Sequence, residues 1–264
     1  MVPAEMDERK KKILWAVVKE YIENAGPIGS SILQKKYCID VCPATIRNEM
    51  AYLEEQGFLT HPHTSAGRIP TDKGYRFYVD NLMKLYQLTS QEKHLIAKAY
   101  VDLHRDLDMI MQNTLHLLLS LSNYFAVVSE RSEWFNEKLG QAKKAFKNNR
   151  GSKIYFSGLS KLLGEPEFEN TTTIRSLVSV FEDDRKSTAL FEGEEDNETV
   201  VIRIGEENAY DELKDYSLVS RKFHCAEEPV GTLGIIGPKR MNYSRVATTV
   251  DQIAQSLDKL LSFL

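Results

Sequence analysis

The sequence predicts an α+β protein of two domains, a mostly helical one over residues 1–86 and a mixed one over residues 87–264. Apolar residues recur at helical spacing in successive segments of the first part. The second part combines long amphipathic segments with short apolar runs that are typical of strands. With 264 residues, the chain has room for two hydrophobic cores of modest size.

The composition excludes several classes of protein. The chain is 42% hydrophobic and 27% charged, which is typical of a globular protein and not of a disordered or fibrous one. Its net charge of −4 argues against a protein that coats nucleic acid by bulk electrostatic attraction. Residues 1–12 are too polar for a signal peptide, and the most apolar stretch, 115–128, is interrupted by polar residues. We expect a cytoplasmic protein with no membrane partner.

Four helices are predicted in the first domain. They cover residues 7–24, 30–37, 43–56 and 71–82. Ser30 and Thr71 are the expected N-caps of the second and fourth helices, because a hydroxyl oxygen can accept a hydrogen bond from an unpaired amide of the first turn. Pro43 suits the first turn of the third helix, and Gly57 suits its end.

The third predicted helix has an apolar face and a mixed outer face. Ile46, Met50 and Leu53 form the apolar stripe that we expect to be buried. The outer face carries small and polar side chains, namely Ala44, Thr45, Arg47, Asn48 and Ala51. Such a face can approach another molecule closely.

Two short extended segments, 58–61 and 68–70, follow this helix and flank a loop in which Gly67 permits a tight reversal. The order of helix, helix, turn, helix and hairpin is that of a winged helix-turn-helix, whose third helix enters the major groove of DNA. The alternative is a small helical domain that merely has a polar face.

The outer face suggests how double-stranded DNA would be bound. Arg47 is suited to guanine and Asn48 to adenine, while Thr45 could contact a phosphate or a thymine methyl group. Basic residues around this face would bind phosphates and fix the register, and these are Lys35, Lys36, Arg68, Lys73 and Arg76.

The second domain is predicted to begin with a long helix over about 89–125 and to end with a helix over about 243–262. Thr89 and Glu92 form a capping box at the start of the long helix. Its apolar residues alternate steps of four and three, the heptad pattern of a helix with a partner helix. Between the two we expect a basic helix at 134–150, strands at 153–157, 199–204, 218–223 and 230–236, and shorter helices at 159–163 and 174–181.

Other patterns favour neither catalysis nor metal binding. Cys38, Cys42, His61 and His63 lack the spacing of zinc ligands, and no nucleophile has a base beside it. We therefore expect no metal, no cofactor and no enzyme activity.

Two further patterns are expected to be structural. Gly231, Gly234 and Gly237 lack the spacing of a phosphate-binding loop and are expected in a closely packed strand. The acidic run at 192–198 lacks the order of a calcium loop and is expected to be a solvated turn.

Two blocks of sequence resemble the family of the heat-inducible transcription repressor HrcA. The first consists of PATIRNEM at 43–50 and HTSAGRIPTDKGYR at 63–76. The second consists of SGL at 157–159, EPEF at 165–168, IGEEN at 204–208, PVGTLGIIGP at 229–238 and YSR at 243–245. Both blocks occur in the order found in that family.

The resemblance implies a repressor with a winged-helix head and a GAF-like body. It implies a homodimer that binds an inverted-repeat operator upstream of chaperonin operons, and whose active state depends on the chaperonin GroEL. Within the first block, His63 and Ser65 lie in the hairpin loop, and we expect them to contact DNA.

The chain departs from the family in two places. Cys42 stands where the family usually has serine, which predicts a poorer cap for the third helix. The family's inserted dimerisation domain, which would follow residue 128, is missing. The dimer interface would then be formed by apolar residues of the long helix and the C-terminal helix, namely Leu103, Leu107, Ile110, Leu117, Leu121, Ile253 and Leu257.

A second function stays open. GAF-like folds often hold small effectors, so the chain could be a winged-helix regulator that senses a small molecule. Tyr155, Arg203 and Tyr216 are the candidate lining residues of such a pocket.

Overall fold

The computed structural model describes residues 6–63, 66–100, 106–131, 152–168, 171–191 and 199–262. Contacts between Cα atoms divide the chain into two compact units. Unit 1 consists of Met1–Lys84 and Lys239–Ser244, and unit 2 consists of Leu85–Pro238 and Arg245–Leu264. Residues 239–244 belong to unit 1, although the predicted second domain, 87–264, includes them.

Unit 1 contains four α-helices and one hairpin. The elements are α1 (Glu8–Asn24), α2 (Ser30–Tyr37), α3 (Pro43–Glu55), β1 (Leu59–Thr60), β2 (Ile69–Pro70) and α4 (Asp72–Phe77), which continues as a π-helical turn (Tyr78–Leu82). Its core contains apolar side chains of the first three helices, among them Ile13, Val17, Leu33, Ile46 and Leu53. The positions of the predicted helices and of the hairpin are confirmed.

The helix ends follow the local chemistry at three of four predicted places. Pro43 is the first residue of α3. The hydroxyl of Thr71 accepts a hydrogen bond from the amide of Gly74 at 3.1 Å and caps α4. Gly57 adopts φ +75° directly after α3, a conformation that glycine favours. The prediction for Ser30 was wrong, because α2 begins at Ser30 and its N-cap is Gly29, which has no side chain to contribute.

The hairpin of unit 1 is extended by a third short segment. Leu59 pairs with Pro70 within the hairpin, and Ile28 forms an isolated bridge with Arg68. The amides of Ile28 and Arg68 each donate to the carbonyl of the other at 2.9 Å. A Cβ at Gly67 would lie 2.5 Å from the backbone of Ile28, so Gly67 is needed for this close approach.

Unit 2 contains a five-stranded sheet and helices. The elements that complete the chain are α5 (Ser90–Lys98), α6 (Leu107–Ser122), β3 (Phe125–Arg131), β4 (Ser152–Ser157), α7 (Leu159–Leu162), α8 (Thr171–Glu182), α9 (Asp184–Ala189), β5 (Val201–Ile204), β6 (Tyr216–Cys225), β7 (Glu228–Pro238) and α10 (Tyr243–Leu261). Short 3-10 turns lie at Pro166–Phe168, Gly205–Glu207 and Asp211–Leu213. The four predicted strands are confirmed, and β3 is an additional one.

The prediction of one long helix over 89–125 was wrong. Asp106 is extended, with φ −93° and ψ 102°, and its carboxylate accepts a hydrogen bond from the amide of Met109 at 3.4 Å, so it caps a separate helix, α6. An aspartate can compete in this way for backbone amides and end a helical pattern. The capping box of Thr89 and Glu92 is confirmed at the start of α5. The basic helix predicted at 134–150 and the acidic run at 192–198 lie outside the described residues.

The strands of unit 2 pair in the order β4-β3-β7-β6-β5, and all four pairings are antiparallel. One face of the sheet joins α8 in a hydrophobic core that includes Phe125, Leu218, Ile236 and Leu177. A Cβ at Gly231 would lie 2.3 Å from the carbonyl oxygen of Ser129, which confirms that this glycine belongs to a closely packed strand. None of the helices in the described part of the chain combines the length and the apolar composition that a membrane span needs.

Candidate nucleic-acid interface

The two faces of α3 are arranged as the sequence predicted. Ile46 and Leu53 are fully buried in unit 1. Ala44, Arg47 and Asn48 are exposed on the outer side of the helix. A helix anchored by its apolar stripe can therefore present a guanidinium group and an amide to another molecule.

Three candidate DNA contacts have no competing partner within unit 1. Among the residues that the structure describes, none forms a hydrogen bond or an ion pair with the side chains of Lys35, Arg47 or Asn48. All three are exposed, Lys35 in the last turn of α2 and the other two on α3. Their donors and acceptors are thus available to a ligand.

The N-terminus of α3 has an unusual cap. Cys42 is the N-cap residue and makes no side-chain hydrogen bond to the backbone, which confirms the prediction of a poorer cap. Its Sγ lies 3.3 Å from Oγ1 of Thr45. The Thr45 hydroxyl and the nearby backbone amides lower the pKa of the Cys42 thiol. The hydroxyl that we expected to contact DNA is therefore already engaged.

Lys36 is held by two carboxylates of α1. Its Nζ lies 2.8 Å from Oε2 of Glu20 and 2.7 Å from Oε2 of Glu23. Hydrogen bonds to these carboxylates raise the pKa of Lys36. Its charge is largely balanced within unit 1, unlike that of its neighbour Lys35.

Arg68 joins the hairpin to α3. Its Nη2 lies 2.7 Å from Oε2 of Glu54, and its side chain is only 22% exposed. The other carboxylate oxygen of Glu54 contacts Nδ1 of His61, on the opposite arm of the hairpin. Arg68 is therefore placed as a hairpin support and not as an open phosphate contact.

Lys73 and Arg76 also have partners inside unit 1. The Nζ of Lys73 donates to the carbonyl oxygen of Gln56 at 2.8 Å, just beyond the end of α3. Nη1 of Arg76 lies 3.1 Å from Oδ1 of Asp80, one turn later. His63 is exposed in the hairpin loop, and Ser65 lies outside the described residues. The predicted basic residues thus divide into available and engaged groups.

Sequence reasoning missed the residues that fix the turn between α2 and α3. Nζ of Lys12 donates to the carbonyl oxygen of Cys38 at 3.3 Å, and Nε2 of Gln34 donates to that of Val41 at 3.1 Å. These contacts hold the segment that sets the direction of α3. The only available signal was the basic run at the start of α1, which by itself indicates nothing about its partner.

Five of the seven residues predicted for dimerisation are buried within one chain. Ile110, Ile253 and Leu257 are fully buried, and Leu117 and Leu121 are 7% and 6% exposed. Leu107 is half-buried, and Leu103 lies outside the described residues. The five buried side chains already pack within one chain, so for these five the prediction that they meet a second copy is wrong.

The three candidate pocket residues are not brought together. Tyr155 lies on β4 and Arg203 on β5, the two opposite edges of the five-stranded sheet, about 19 Å apart at the usual strand spacing. Tyr216 is 1% exposed, and its ring stacks on Phe168 at 4.7 Å. Tyr155 instead donates to the carboxylate of Asp108, on α6, and its pKa is raised by burial and by that contact. A shared pocket of these three residues is therefore excluded.

The chain is similar to a set of known repressors over its whole length. Residues 130–247 match the family model described as the HrcA protein C terminal domain. The heat-inducible transcription repressor HrcA of Pelotomaculum thermopropionicum is 31% identical, over 97% of this chain and 97% of that protein. The protein of the same name from Natranaerobius thermophilus is also 31% identical, over 96% of each chain.

One solved structure shares the fold, and the alignments show a difference in length. A crystal structure of a hypothetical protein covers 98% of both chains with a TM-score of 0.75 and 22% identity. The alignment with the Pelotomaculum protein runs over 337 residues, more than the 264 of this chain, so part of that relative has no counterpart here. The chain belongs to the HrcA family of heat-inducible transcription repressors, and it is a heat-shock transcriptional repressor and not an enzyme.

Proposed function

We propose that unit 1 is a winged helix-turn-helix and that α3 enters the major groove of an inverted-repeat operator upstream of chaperonin genes. The observation that carries this proposal is that some of the basic and polar candidate residues have no partner, while others are held by groups within unit 1. Arg47 and Asn48 on α3 and Lys35 at the end of α2 are exposed without partners among the described residues, while Lys36, Arg68 and Lys73 bind groups within unit 1. A small unpaired patch on a supported helix is what sequence-specific binding requires.

Each of the three residues has a distinct role in this proposal. Arg47 would donate two hydrogen bonds to a guanine, and Asn48 would make paired hydrogen bonds to an adenine. Lys35, at the end of the preceding helix, would bind a phosphate and fix the register of α3 along the groove. Ala44 is small enough for the first turn of α3 to approach the bases closely.

The hairpin supports the same arrangement. Glu54 near the end of α3 holds Arg68 and His61, so that the two arms of the hairpin are tied to the helix. His63 lies exposed in that loop, where it would contact the sugar-phosphate backbone or the minor groove. Arg68 contributes by positioning this loop.

We further propose that the active repressor is a dimer, with one copy of α3 on each half of the operator. Twofold symmetry of the protein would match that of the inverted repeat. Unit 2 would be a GAF-like domain, as the resemblance to the family implies. Because five of the apolar residues first suggested for the dimer are buried in one chain, the dimer would use other surfaces.

The chaperonin GroEL is proposed as the factor that maintains the active repressor. The resemblance to the family supplies this partner, and the marginal stability of folded proteins supplies the physical reason. Withdrawal of folding assistance during heat stress would lower the folded fraction and release the operator. Direct addition of GroEL with its nucleotide to partly inactivated repressor should raise the operator-bound fraction severalfold.

The decisive experiment is a titration of the purified chain with a duplex from upstream of a chaperonin operon. A second duplex with the same base composition and a scrambled repeat serves as the control. We expect at least hundredfold tighter binding to the repeat, a footprint over both half-sites and a dimer in the bound complex. Equal affinity for the two duplexes would refute the proposed function.

A further inference from the structure

Unit 1 is built from two separate stretches of the chain. The second stretch, Lys239–Ser244, is short and is continuous at both ends with unit 2, through β7 and through the rest of α10. We propose that this segment, which we call the strap, keeps α3 in its folded position and so makes operator binding depend on the folded state of unit 2. The inference rests on the proposed function of α3 and adds its regulation.

Polar contacts tie the strap to two places in unit 1. Nζ of Lys239 lies 2.8 Å from Oδ1 of Asp72, in the first turn of α4. Nη1 of Arg240 donates to the carbonyl oxygen of Ile22, near the end of α1, at 3.4 Å. These two helices are far apart in sequence, and the strap contacts both.

Apolar side chains of the strap take part in the core. Met241 and Tyr243 are fully buried. The ring of Tyr243 lies 5.9 Å from that of Tyr75 on α4, and Tyr75 is itself 2% exposed. Buried aromatic side chains contribute a large share of packing energy, so removal of the strap would leave Tyr75 without its ring partner.

The helix that receives the strap is attached to the end of α3. The hydroxyl of Thr71 donates to the carbonyl oxygen of Gly57 at 2.6 Å, and Lys73 donates to that of Gln56 at 2.8 Å. A Cβ at Gly74 would lie 2.1 Å from the carbonyl oxygen of Phe58, so the two backbones are in direct contact. A continuous set of contacts therefore runs from the strap through α4 to the C-terminal end of α3.

The strap has a defined conformation of its own. The hydroxyl of Tyr243 donates to the carbonyl oxygen of Lys239 at 2.5 Å, and the amide of Tyr243 donates to the carbonyl oxygen of Met241 at 2.9 Å. Both ends of this compact turn continue into regular structure, a strand and a helix. While unit 2 is folded, the ordering of the strap costs unit 1 little conformational entropy.

Unfolding of unit 2 would remove this advantage. The strand β7 pairs with β3 and β6, so loss of the sheet frees one end of the strap, and loss of α10 frees the other. The strap would then have to be ordered from a flexible chain before it could support α4. The structure thus offers a physical route by which heat that unfolds unit 2 also loosens α3 and releases DNA.

The first test uses the full chain with Trp134→Phe, so that Trp15 of α1 is its only tryptophan. Lys239→Asp and Asp72→Lys each break the ion pair, and the double variant restores it with reversed charges. We expect each single variant to weaken operator binding about two- to fivefold and to lower the Trp15 unfolding midpoint, and the double variant to recover both.

Lys259→Asp, at an exposed position of α10, is the matched control and should change neither. Failure of the double variant to recover, or an equal effect of the control, would overturn the proposal.

The second test destabilises unit 2 directly. Leu177 is fully buried in the core of unit 2, and Leu177→Ala should lower the stability of that unit. We expect amides of α3 to lose hydrogen-exchange protection at least tenfold and operator binding to weaken at a lower temperature. Unchanged protection of α3 while unit 2 unfolds would refute the strap. If the unmodified chain shows no preference for the operator, the proposed function fails. The role of the strap is then still decided by hydrogen exchange of α3 and by the unfolding midpoint that Trp15 reports.

Discussion

The carboxylate of Glu54, near the end of α3, lies 2.7 Å from the guanidinium Nη2 of Arg68, in the hairpin. Both side chains are mostly shielded from water, with 24% and 22% of their surfaces exposed. The same carboxylate contacts His61 on the other arm. One acidic residue therefore links the helix proposed to read DNA to both sides of the hairpin.

This relationship predicts that Arg68→Ala acts on stability more than on DNA affinity. Loss of the guanidinium leaves Glu54 half-buried and without its main partner, which should lower the free energy of unfolding by about 1–2 kcal/mol. Urea denaturation measures this change. Because Arg68 is not an open phosphate contact, the salt dependence of DNA binding should stay the same. A slope reduced by nearly one unit would show instead that Arg68 binds a phosphate.

Arg47→Ala and Lys35→Ala should differ in kind. The first removes a base contact, so it should cost about 1–3 kcal/mol on the operator and relax discrimination at one base pair. The second removes a phosphate contact, so it should weaken binding to all DNA sequences similarly. It should also reduce the slope of log affinity against log salt concentration by nearly one unit. Titrations of operator and scrambled duplexes at several salt concentrations separate the two. Identical behaviour of the variants would contradict the assigned roles.

Local signals in the sequence were sufficient to predict most of the helices and strands of unit 1. Helix periodicity, Pro43, Gly57 and Thr71 marked the elements because each acts within a few residues of its own position. The partners of the basic residues could not be found in this way. Lys36 and Glu20 are neighbours only because α1 and α2 pack together, and the sequence contains no local mark of that contact.

Unit 2 shows the limit of periodicity more clearly. The apolar pattern predicted one helix across 89–125, but Asp106 caps a new helix, α6. A heptad pattern continues through such a break because it depends only on which residues are apolar. The same pattern suggested a dimer surface for Ile110, which is fully buried within the chain.

Cys42→Ser should stabilise the protein. The N-cap of α3 lacks a side-chain hydrogen bond to the backbone, and a serine hydroxyl is a better acceptor at that place. We expect a gain of about 1 kcal/mol in the free energy of unfolding, measured by urea denaturation. Cys38→Ser is the matched control, since Cys38 follows the end of α2 with φ +46° and caps no N-terminus. An equal gain from both variants would exclude capping as the cause.

The thiol of Cys42 should react faster than a cysteine thiol that has no contact with a hydroxyl group. Its pKa is lowered by the hydroxyl of Thr45, and only the thiolate reacts with alkylating reagents. In the Thr45→Val variant the pKa should rise, so alkylation of Cys42 by iodoacetamide at neutral pH should slow severalfold. Mass spectrometry of the labelled peptides measures the rate. A rate that does not respond to Thr45 would contradict this account.

Acid should destabilise the packing of α1 against α2. Burial alone would raise the pKa of Glu20, but hydrogen bonds from Lys36 and Tyr37 outweigh it and hold the pKa below the ordinary value of 4.5. A group with a lowered pKa contributes stability above its unfolded value, and this contribution is lost as the pH falls through the folded value. As the pH is lowered below about 4.5, the urea concentration at the unfolding midpoint should therefore decrease more steeply for the unmodified chain than for Glu20→Gln. Parallel pH profiles would exclude Glu20 as a cause.

The register of β3 and β4 makes the segment between them a place where the chain tolerates a change in length. Arg131 pairs with Ser152, so the two ends of the connecting segment are fixed beside each other at the rim of the sheet. Each doubling of such a connection costs only about 0.6 kcal/mol of closure entropy. A longer or shorter segment between these two strands is therefore compatible with the same strand order of the sheet. Engineers could use the same position to graft a sensor or a label onto the repressor.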